Sequence, residues 1–341
     1  MLKKFLLFVF LLILLATGFS AWKIFGSAVS IPEEKFLYIK TVTSFNEMKE
    51  ELKIKKIITE DFWFTKTASF LKFNTARAGK YELKKGMSLY ELIRMLKSGK
   101  QTPVNLVITK LRLKEDLARR MARIFEFDST QAMQFLTNID SLKNYQLDSN
   151  TLMASVLPDT YTYFWNSTPK KVFQKLYDEW QKFWNEERKS KASELGLTPI
   201  QVSSLASIID EESNYVPEKG NIASVYLNRI QKRMPLQADP TVKFALKDFA
   251  LKRVYQKHLL VESPFNTYRN LGLPPGPICT PQRETIDAVL NAPKTDYLYF
   301  VAKSDFSGVH VFTSSYDDHI KKAKEFHKAM NRQDSIRKST K

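Results

Sequence analysis

The chain has 341 residues, of which 43% are hydrophobic, and it contains no low-complexity tract or fixed-period repeat, so global disorder is excluded. Its only cysteine, Cys279, allows no internal disulfide and is typical of a small packing residue. The four scattered histidines form no HxxxH pair, which argues against a metal enzyme. The net charge of +17 is spread along the whole chain without a nucleic-acid motif, so we expect no nucleic-acid partner.

The chain begins with a membrane anchor or an export signal. Two lysines precede an uncharged apolar run, 5–21, which Trp22 and Lys23 close. As a helix rising ~1.5 Å per residue, the run covers about 26 Å and spans a bilayer core if Trp22 sits at the interface. A signal peptide cleaved after Gly18 is the alternative, but the run is long for one and no A-x-A site follows. We favour a retained anchor that keeps the lysine pair in the cytoplasm and the remaining chain outside.

Segment 31–108 predicts a small unit of strands and helices. Residues 36–42, FLYIKTV, are rich in β-branched and aromatic side chains and predict a strand. Two Ser-x-x-Glu capping boxes, at 44–47 and 88–91, predict the starts of two helices, and 61–72 predicts another helix between them. This pattern is typical of a compact domain.

Segment 109–190 predicts a mainly helical connecting region. Residues 157–168 combine proline, aspartate and several aromatic side chains, so we expect an ordered loop there. A single helix is expected over 169–189. Its large aromatic side chains could stack on sugars, but packing is favoured for all three of them: Trp180, Phe183 and Trp184.

Segment 191–341 contains the most sharply defined helix of the chain. Thr198 is a natural N-cap, Pro199 suits the first helical position, and Gln201 completes a capping box. Residues 262–281 are too rich in proline for a regular element. The other expected elements are helices over 220–234, from 239, over 281–290 and over 316–330, and strands in YLYFVAK and VHVFT.

The helix that begins at Thr198 ends in three consecutive carboxylates. At ~100° per residue, Glu212 continues the apolar stripe formed by residues such as Leu205 and Ile208. Asp210 lies about 200° and Glu211 about 100° away from that position, so we expect both to face solvent or the helix flank. Of the three acids, only Glu212 is therefore expected on the apolar side of the helix.

A carboxyl group that projects from an apolar face into a cleft has a raised pKa, because desolvation disfavours its charged form. This is the condition that a general acid needs at neutral pH. The alternative is a salt bridge, for which Lys219, Arg229 and Arg233 are the candidate partners of Glu212.

Several long motifs resemble the YceG-like family, the endolytic murein transglycosylases known as MltG. They are LASIIDEES, IASVYLNRIQKRMPLQADPTV, FNTYRNLGLPPGPICTP and KTDYLYFVAK, in that order, and AGKYELKKGMSLYELIRMLKSGK is similar to the family's LysM-like subdomain. The resemblance covers nearly the whole chain after residue 30. It implies an α+β fold: an N-terminal transmembrane helix (1–30, with its cytoplasmic stub), a small LysM-like α/β module (31–108), a helical connecting region (109–190), and a larger, mainly helical catalytic domain with a few strands (191–341).

The resemblance also implies site residues. The family's signature helix reads approximately ASI-[VI]-E-x-E, and its catalytic glutamate falls on Glu212, in agreement with the stripe. Asp210 stands where the family shows an earlier glutamate, and Pro277 and Cys279 stand where small residues are expected. The residues that match the family's cleft lining are Gln237, Asp239, Asn266, Thr267 and Tyr268. A loop-stabilising role is the alternative for each of them, and for Asp239 a helix cap is a further alternative.

The implied reaction is the lyase cleavage of the β-1,4 bond between N-acetylmuramic acid and N-acetylglucosamine within peptidoglycan strands. It leaves 1,6-anhydro ends, terminates or trims nascent glycan, and uses no cofactor. The implied partners are glycan strands, the membrane and, by family association, peptidoglycan synthases. Two alternatives stay open: a membrane-anchored scaffold that binds glycan without cutting it, and a hydrolytic muramidase, which adds water to the bond.

Overall fold

The computed structural model describes residues 1–31 and 34–339, with side chains up to residue 332. It divides the chain into two compact units. The first unit comprises 1–106, 122–127 and 162–168, and the second comprises 107–121, 128–161 and 169–341. Helices and strands are mixed in the fold, as predicted.

The first unit begins with a long apolar helix. This helix, α1 (Leu2–Phe25), is long and apolar enough to cross a membrane, and its length of about 36 Å exceeds a hydrocarbon core. The elements that follow are β1 (Phe36–Ile39), α2 (Phe45–Ile54), α3 (Asp61–Phe70), β2 (Gly79–Glu82) and α4 (Leu89–Ser98).

The two predicted capping boxes of this unit are confirmed, because the side chains of Ser44 and Ser88 both accept from the backbone of the glutamate three residues later. Strands β1 and β2 pair antiparallel. The inward side chains of these elements form one apolar core, which includes Leu37, Leu52 and Leu92. The chain passes toward the second unit within β3 (Val104–Ile108), which pairs with β4 (Asp159–Tyr163).

The second unit is mainly helical. Its helices are α5 (Lys114–Ala122), α6 (Ser129–Thr137), α7 (Ile139–Lys143), α8 (Pro169–Phe183), α9 (Glu186–Glu194), α10 (Pro199–Glu212), α11 (Lys219–Gln231), α12 (Asp239–Leu246), α13 (Gln256–Leu259), α14 (Arg283–Leu290) and α15 (Tyr316–Ser339). Two strands, β5 (Tyr299–Ala302) and β6 (His310–Thr313), form an antiparallel hairpin. Short 3-10 turns lie at Leu152–Ser155 and Val216–Glu218.

Two expectations for the connecting region are wrong. Residues 157–168 contain a strand, β4, because alternate side chains such as Tyr161 and Tyr163 can pack while those between them face solvent. The single helix expected over 169–189 is two helices, because Asn185 takes an extended conformation and its side chain caps α9. Packing is confirmed for Trp180, Phe183 and Trp184, all of which are buried.

Helix α10 is the central element of the second unit, and its residues 202–210 are all buried. Small side chains let neighbouring segments approach it closely. The Ser207 hydroxyl accepts from the Ile278 backbone at 2.9 Å, which fixes the proline-rich loop against the helix. Cys279 is buried in the same contact, and burial raises the pKa of its thiol, as expected of a packing residue.

We expect Thr198→Ala to lower the stability of the protein by about 1 kcal/mol, because the Thr198 hydroxyl accepts from the Gln201 backbone at 3.2 Å and caps α10. Thermal unfolding of the detergent-solubilised protein should show a fall of about 2–4 °C in the midpoint. Thr198→Ser is the matched control and should keep the midpoint. Equal losses in both variants would contradict the capping role.

Candidate active site

The candidate site lies where α10 ends. Glu212 is the last residue of the helix and is half-buried, and Ser213 leaves the helix with an extended backbone. A residue outside the helix binds its C-terminal end: the Lys110 ammonium donates to the Asp210 backbone carbonyl at 2.6 Å. A cation at this position satisfies a carbonyl that has no partner within the helix.

The Tyr226 hydroxyl of α11 donates a hydrogen bond to Glu212 Oε1 at 2.9 Å. Burial raises the pKa of Glu212 to about 7, and the negative charge of Asp239 adds to this effect. The Tyr226 hydrogen bond and the Lys243 ammonium act in the opposite direction but do not compensate for the burial. Glu212 therefore exchanges a proton near neutral pH.

The salt-bridge alternative for Glu212 is not realised in the structure. Lys219 is bound to Asp210, and the Arg229 guanidinium donates to backbone carbonyls. Within residues 1–31 and 34–332, whose side chains the structure describes, no ion pair joins Glu212 to Lys219, Arg229 or Arg233. Its carboxyl group therefore lacks the cation that would keep it ionised.

The prediction that Asp210 faces solvent or the helix flank is wrong, since the residue is only 3% exposed. Its carboxylate accepts from the Lys219 ammonium at 2.6 Å, from the Thr285 hydroxyl at 2.6 Å and from the Gln282 backbone at 2.7 Å. The prediction assumed one buried side, whereas α10 is covered on all sides along this turn. Asp210 therefore ties α10 to α11 and to the start of α14.

Glu211 lies at the helix flank and is half-buried. Its carboxylate pairs with the Arg112 guanidinium at 2.8 Å and with Lys110 at 3.5 Å. A cavity of about 90 Å³ lies beside this pair and is lined by Arg112, Glu211, Pro240, Lys243, Phe244, Phe249 and Ile278.

The structure brings Asp239 and Tyr268 together, because the Tyr268 hydroxyl donates to Asp239 Oδ1 at 2.6 Å. The helix-cap alternative for Asp239 is not realised, since Ala238 is the N-cap of α12 and no side chain caps the helix. Burial raises the pKa of the Tyr268 hydroxyl, so this group remains a donor. Gln237 is exposed, and its backbone has a positive φ of 54°.

Asn266 and Thr267 are buried and hold the loop that carries Tyr268. The Asn266 amide donates to the Leu259 and Val261 carbonyls at 2.9 Å, and the Thr267 hydroxyl is bonded to the Thr241 hydroxyl at 2.8 Å. Both residues are at most 1% exposed. Their geometry corresponds to the loop-stabilising alternative, whereas Asp239 and Tyr268 interact electrostatically with Glu212.

The sequence analysis missed Tyr226 and considered Arg229 only as an ion-pair partner of Glu212, although both lie in a quoted motif. Tyr226 is buried in α11. A buried phenol needs a hydrogen-bond partner, so a tyrosine inside this motif was the signal that could have pointed to a polar contact. Arg229 is also buried, and its guanidinium donates to the Leu298 carbonyl at 2.7 Å and to the Leu236 carbonyl at 2.9 Å. Arg229 thereby joins the segment before Asp239 to the segment before β5.

The sequence and the fold match a known family. The family model described as YceG-like family matches residues 37–325, and the chain belongs to this family. The endolytic murein transglycosylase of Bacillus subtilis is 31% identical over 326 residues, which are 89% of this chain and 89% of that protein.

The endolytic murein transglycosylase of Streptococcus pneumoniae R6 is 24% identical; the match covers 93% of this chain but 64% of that longer protein. The crystal structure of a yceG-like protein from Listeria monocytogenes matches with a TM-score of 0.57 and 25% identity, over 84% of this chain and 97% of that one.

We expect Glu212→Gln to stabilise the protein at alkaline pH. The pKa of Glu212 in the folded state, about 7, lies above the ordinary value of 4.5, so the neutral form favours folding and this contribution is lost as pH rises through 7. The variant should therefore exceed the wild type by on the order of 1–3 kcal/mol in free energy of unfolding near pH 9, and match it near pH 4.5. Urea denaturation at both pH values measures the difference, and a pH-independent difference would contradict the raised pKa.

Proposed function

We propose that this chain is an endolytic murein transglycosylase that cleaves the β-1,4 bond between N-acetylmuramic acid and N-acetylglucosamine inside peptidoglycan strands. The observation that carries the proposal is Glu212, a half-buried acid that forms no ion pair with the residues the structure describes, and whose pKa of about 7 lets it both donate and accept a proton. It stands at the catalytic position of the family's signature helix.

Glu212 performs the two proton transfers of the reaction in turn. As an acid, it protonates the glycosidic oxygen, and the bond to C1 of the muramic acid breaks. As a carboxylate, it then accepts the proton of the C6 hydroxyl while O6 bonds to C1. The products are a 1,6-anhydro end and a free 4-hydroxyl, no water is consumed, and Glu212 ends the cycle protonated. A second catalytic carboxylate, as ordinary glycosidases use, is unnecessary.

The residues around Glu212 have supporting roles in this proposal. Tyr226 holds the carboxyl group in place through its hydroxyl. Gln237, Asp239 and Tyr268 offer hydrogen bonds and an aromatic face to an N-acetylated sugar. Asn266 and Thr267 act indirectly, by holding the loop of Tyr268.

The proposal extends to the location of the enzyme. Helix α1 anchors the chain in the cell membrane by a single pass, and the second unit works outside the cytoplasm on newly made glycan. Segment 31–108, which contains the capping boxes at 44–47 and 88–91, serves as a LysM-like module. Peptidoglycan synthases are the proposed partners of the anchored enzyme.

We expect Glu212→Gln to lower cleavage of isolated peptidoglycan by at least about 10³-fold, because both proton transfers are lost. Glu211→Gln is the matched control on the same helix turn and should retain activity within a few-fold. Chromatography of the released muropeptides measures cleavage. A variant at 212 that cuts like the wild type would overturn the assignment, and wild-type protein that binds glycan without cutting it would identify a scaffold.

Mass spectrometry of the same products tests the reaction type. A lytic transglycosylase leaves each new muramic acid end one water lighter than a hydrolase does, because O6 replaces water as the nucleophile. We expect anhydro ends throughout. Reducing ends that carry the added water would identify a hydrolytic muramidase instead.

Two variants should move the pH dependence of kcat/KM in opposite directions. The wild-type value should fall as pH rises through about 7, where Glu212 loses its proton. Tyr226→Phe removes a bond that stabilises the carboxylate and should move this fall to higher pH, whereas Asp239→Asn removes a negative neighbour and should move it to lower pH. Shifts of the same sign in both variants would contradict this electrostatic account.

A further inference from the structure

Helix α3 exposes two phenylalanine side chains on one face. Phe62 is 60% exposed and Phe70 is 78% exposed, and they lie about 80° apart around the helix with Lys66 between them. The opposite face of α3 packs into the core of the first unit through Phe64, Thr67 and Ala68. We call the surface formed by Phe62, Thr65, Lys66, Ser69 and Phe70 the α3 face.

The start of α3 contacts the C-terminal end of α1. The Trp63 ring lies 6.0 Å from the Phe19 ring and 5.2 Å from the Phe62 ring. Lys23 forms an ion pair with Glu60, the residue before α3. Phe19 belongs to the uncharged run of α1, which Trp22 and Lys23 close, so this contact lies at the depth of the lipid headgroups if α1 spans the membrane.

We propose that the α3 face lies on the outer surface of the membrane that α1 spans, with the Phe62 and Phe70 rings at the boundary between headgroups and acyl chains. Lys66, whose ammonium is 5.6 Å from the Phe62 ring centroid, then reaches the lipid phosphates. The inference rests on the proposed anchoring by α1. It adds a second, interfacial contact that fixes the orientation of the first unit on the membrane.

Continuity with α1 identifies lipid as the occupant of the α3 face. Phe19, Trp22 and Phe25 on the last turns of α1 are 52–64% exposed, and they require an apolar or interfacial surrounding. The Trp63 ring contacts both the Phe19 ring of α1 and the Phe62 ring of α3, so the aromatic side chains of the two helices are continuous. The combination of large apolar rings with a lysine matches the two layers of a phospholipid surface.

The test uses the full-length protein in phospholipid nanodiscs, with single cysteines introduced for nitroxide labels. Phe62→Cys and Phe70→Cys report the α3 face, Leu11→Cys reports α1, and Val42→Cys reports an apolar position that is 98% exposed in the turn after β1. The native Cys279 is fully buried and stays unlabelled. Power saturation compares the accessibility of each label to oxygen, which concentrates in lipid, with its accessibility to a water-soluble nickel chelate.

We expect the oxygen-to-nickel ratio at positions 62 and 70 to exceed the ratio at 42 several-fold. If 62 and 70 match 42 while 11 is embedded in lipid, the anchor stands and the α3 inference is overturned. If position 11 is also aqueous, the anchor itself fails and the inference fails with it. Labels at 62 and 70 that become shielded only when other membrane proteins are added would assign the face to a protein and overturn the lipid assignment.

Discussion

The buried ion pair between Asp210 and Lys219 fixes the C-terminal end of α10 against the start of α11. A carboxylate at 3% exposure is unstable without a cation, and Lys219 reaches it from α11 at 2.6 Å. Glu211, which is half-buried, forms an ion pair with Arg112 at 2.8 Å. Lys219 and Arg112 thus pair with the two acids that are not proposed to react, and Glu212 accepts a hydrogen bond from the Tyr226 phenol. Burial of the Glu212 carboxyl group then raises its pKa to about 7, and the Tyr226 hydrogen bond offsets this only in part.

Two neighbours adjust the proton affinity of Glu212 in opposite directions. The Tyr226 hydroxyl stabilises its carboxylate, and Asp239 disfavours it through like charge. The Tyr268 hydroxyl donates to Asp239 Oδ1 at 2.6 Å and so fixes the position of this negatively charged neighbour. A single acid that donates and then accepts a proton needs such a balance, since a strong shift either way would impair one of the two transfers.

Local signals predicted much of this arrangement. The capping box at Thr198 and the stripe that leads to Glu212 depend only on residues within one helix, and a single sequence contains them. The burial of Asp210 depends on Lys219 and Thr285, which lie on other helices. Strand β4 likewise required its pairing with β3, and its aromatic residues were ambiguous between loop and strand. Distant partners therefore account for the main errors.

The resemblance implies a glutamate where this chain has Asp210, and the contacts of Asp210 explain why an acid is needed there. Its carboxylate binds Lys219, the Thr285 hydroxyl and the Gln282 backbone, and none of these contacts involves the Glu212 carboxyl group. The shorter aspartate suffices because the long lysine side chain covers the remaining distance. The position needs a negative charge to join three helices, since removing one partner of a buried pair costs about 3–5 kcal/mol. Position 210 therefore holds the helix end in place beside Glu212, the proposed catalytic acid.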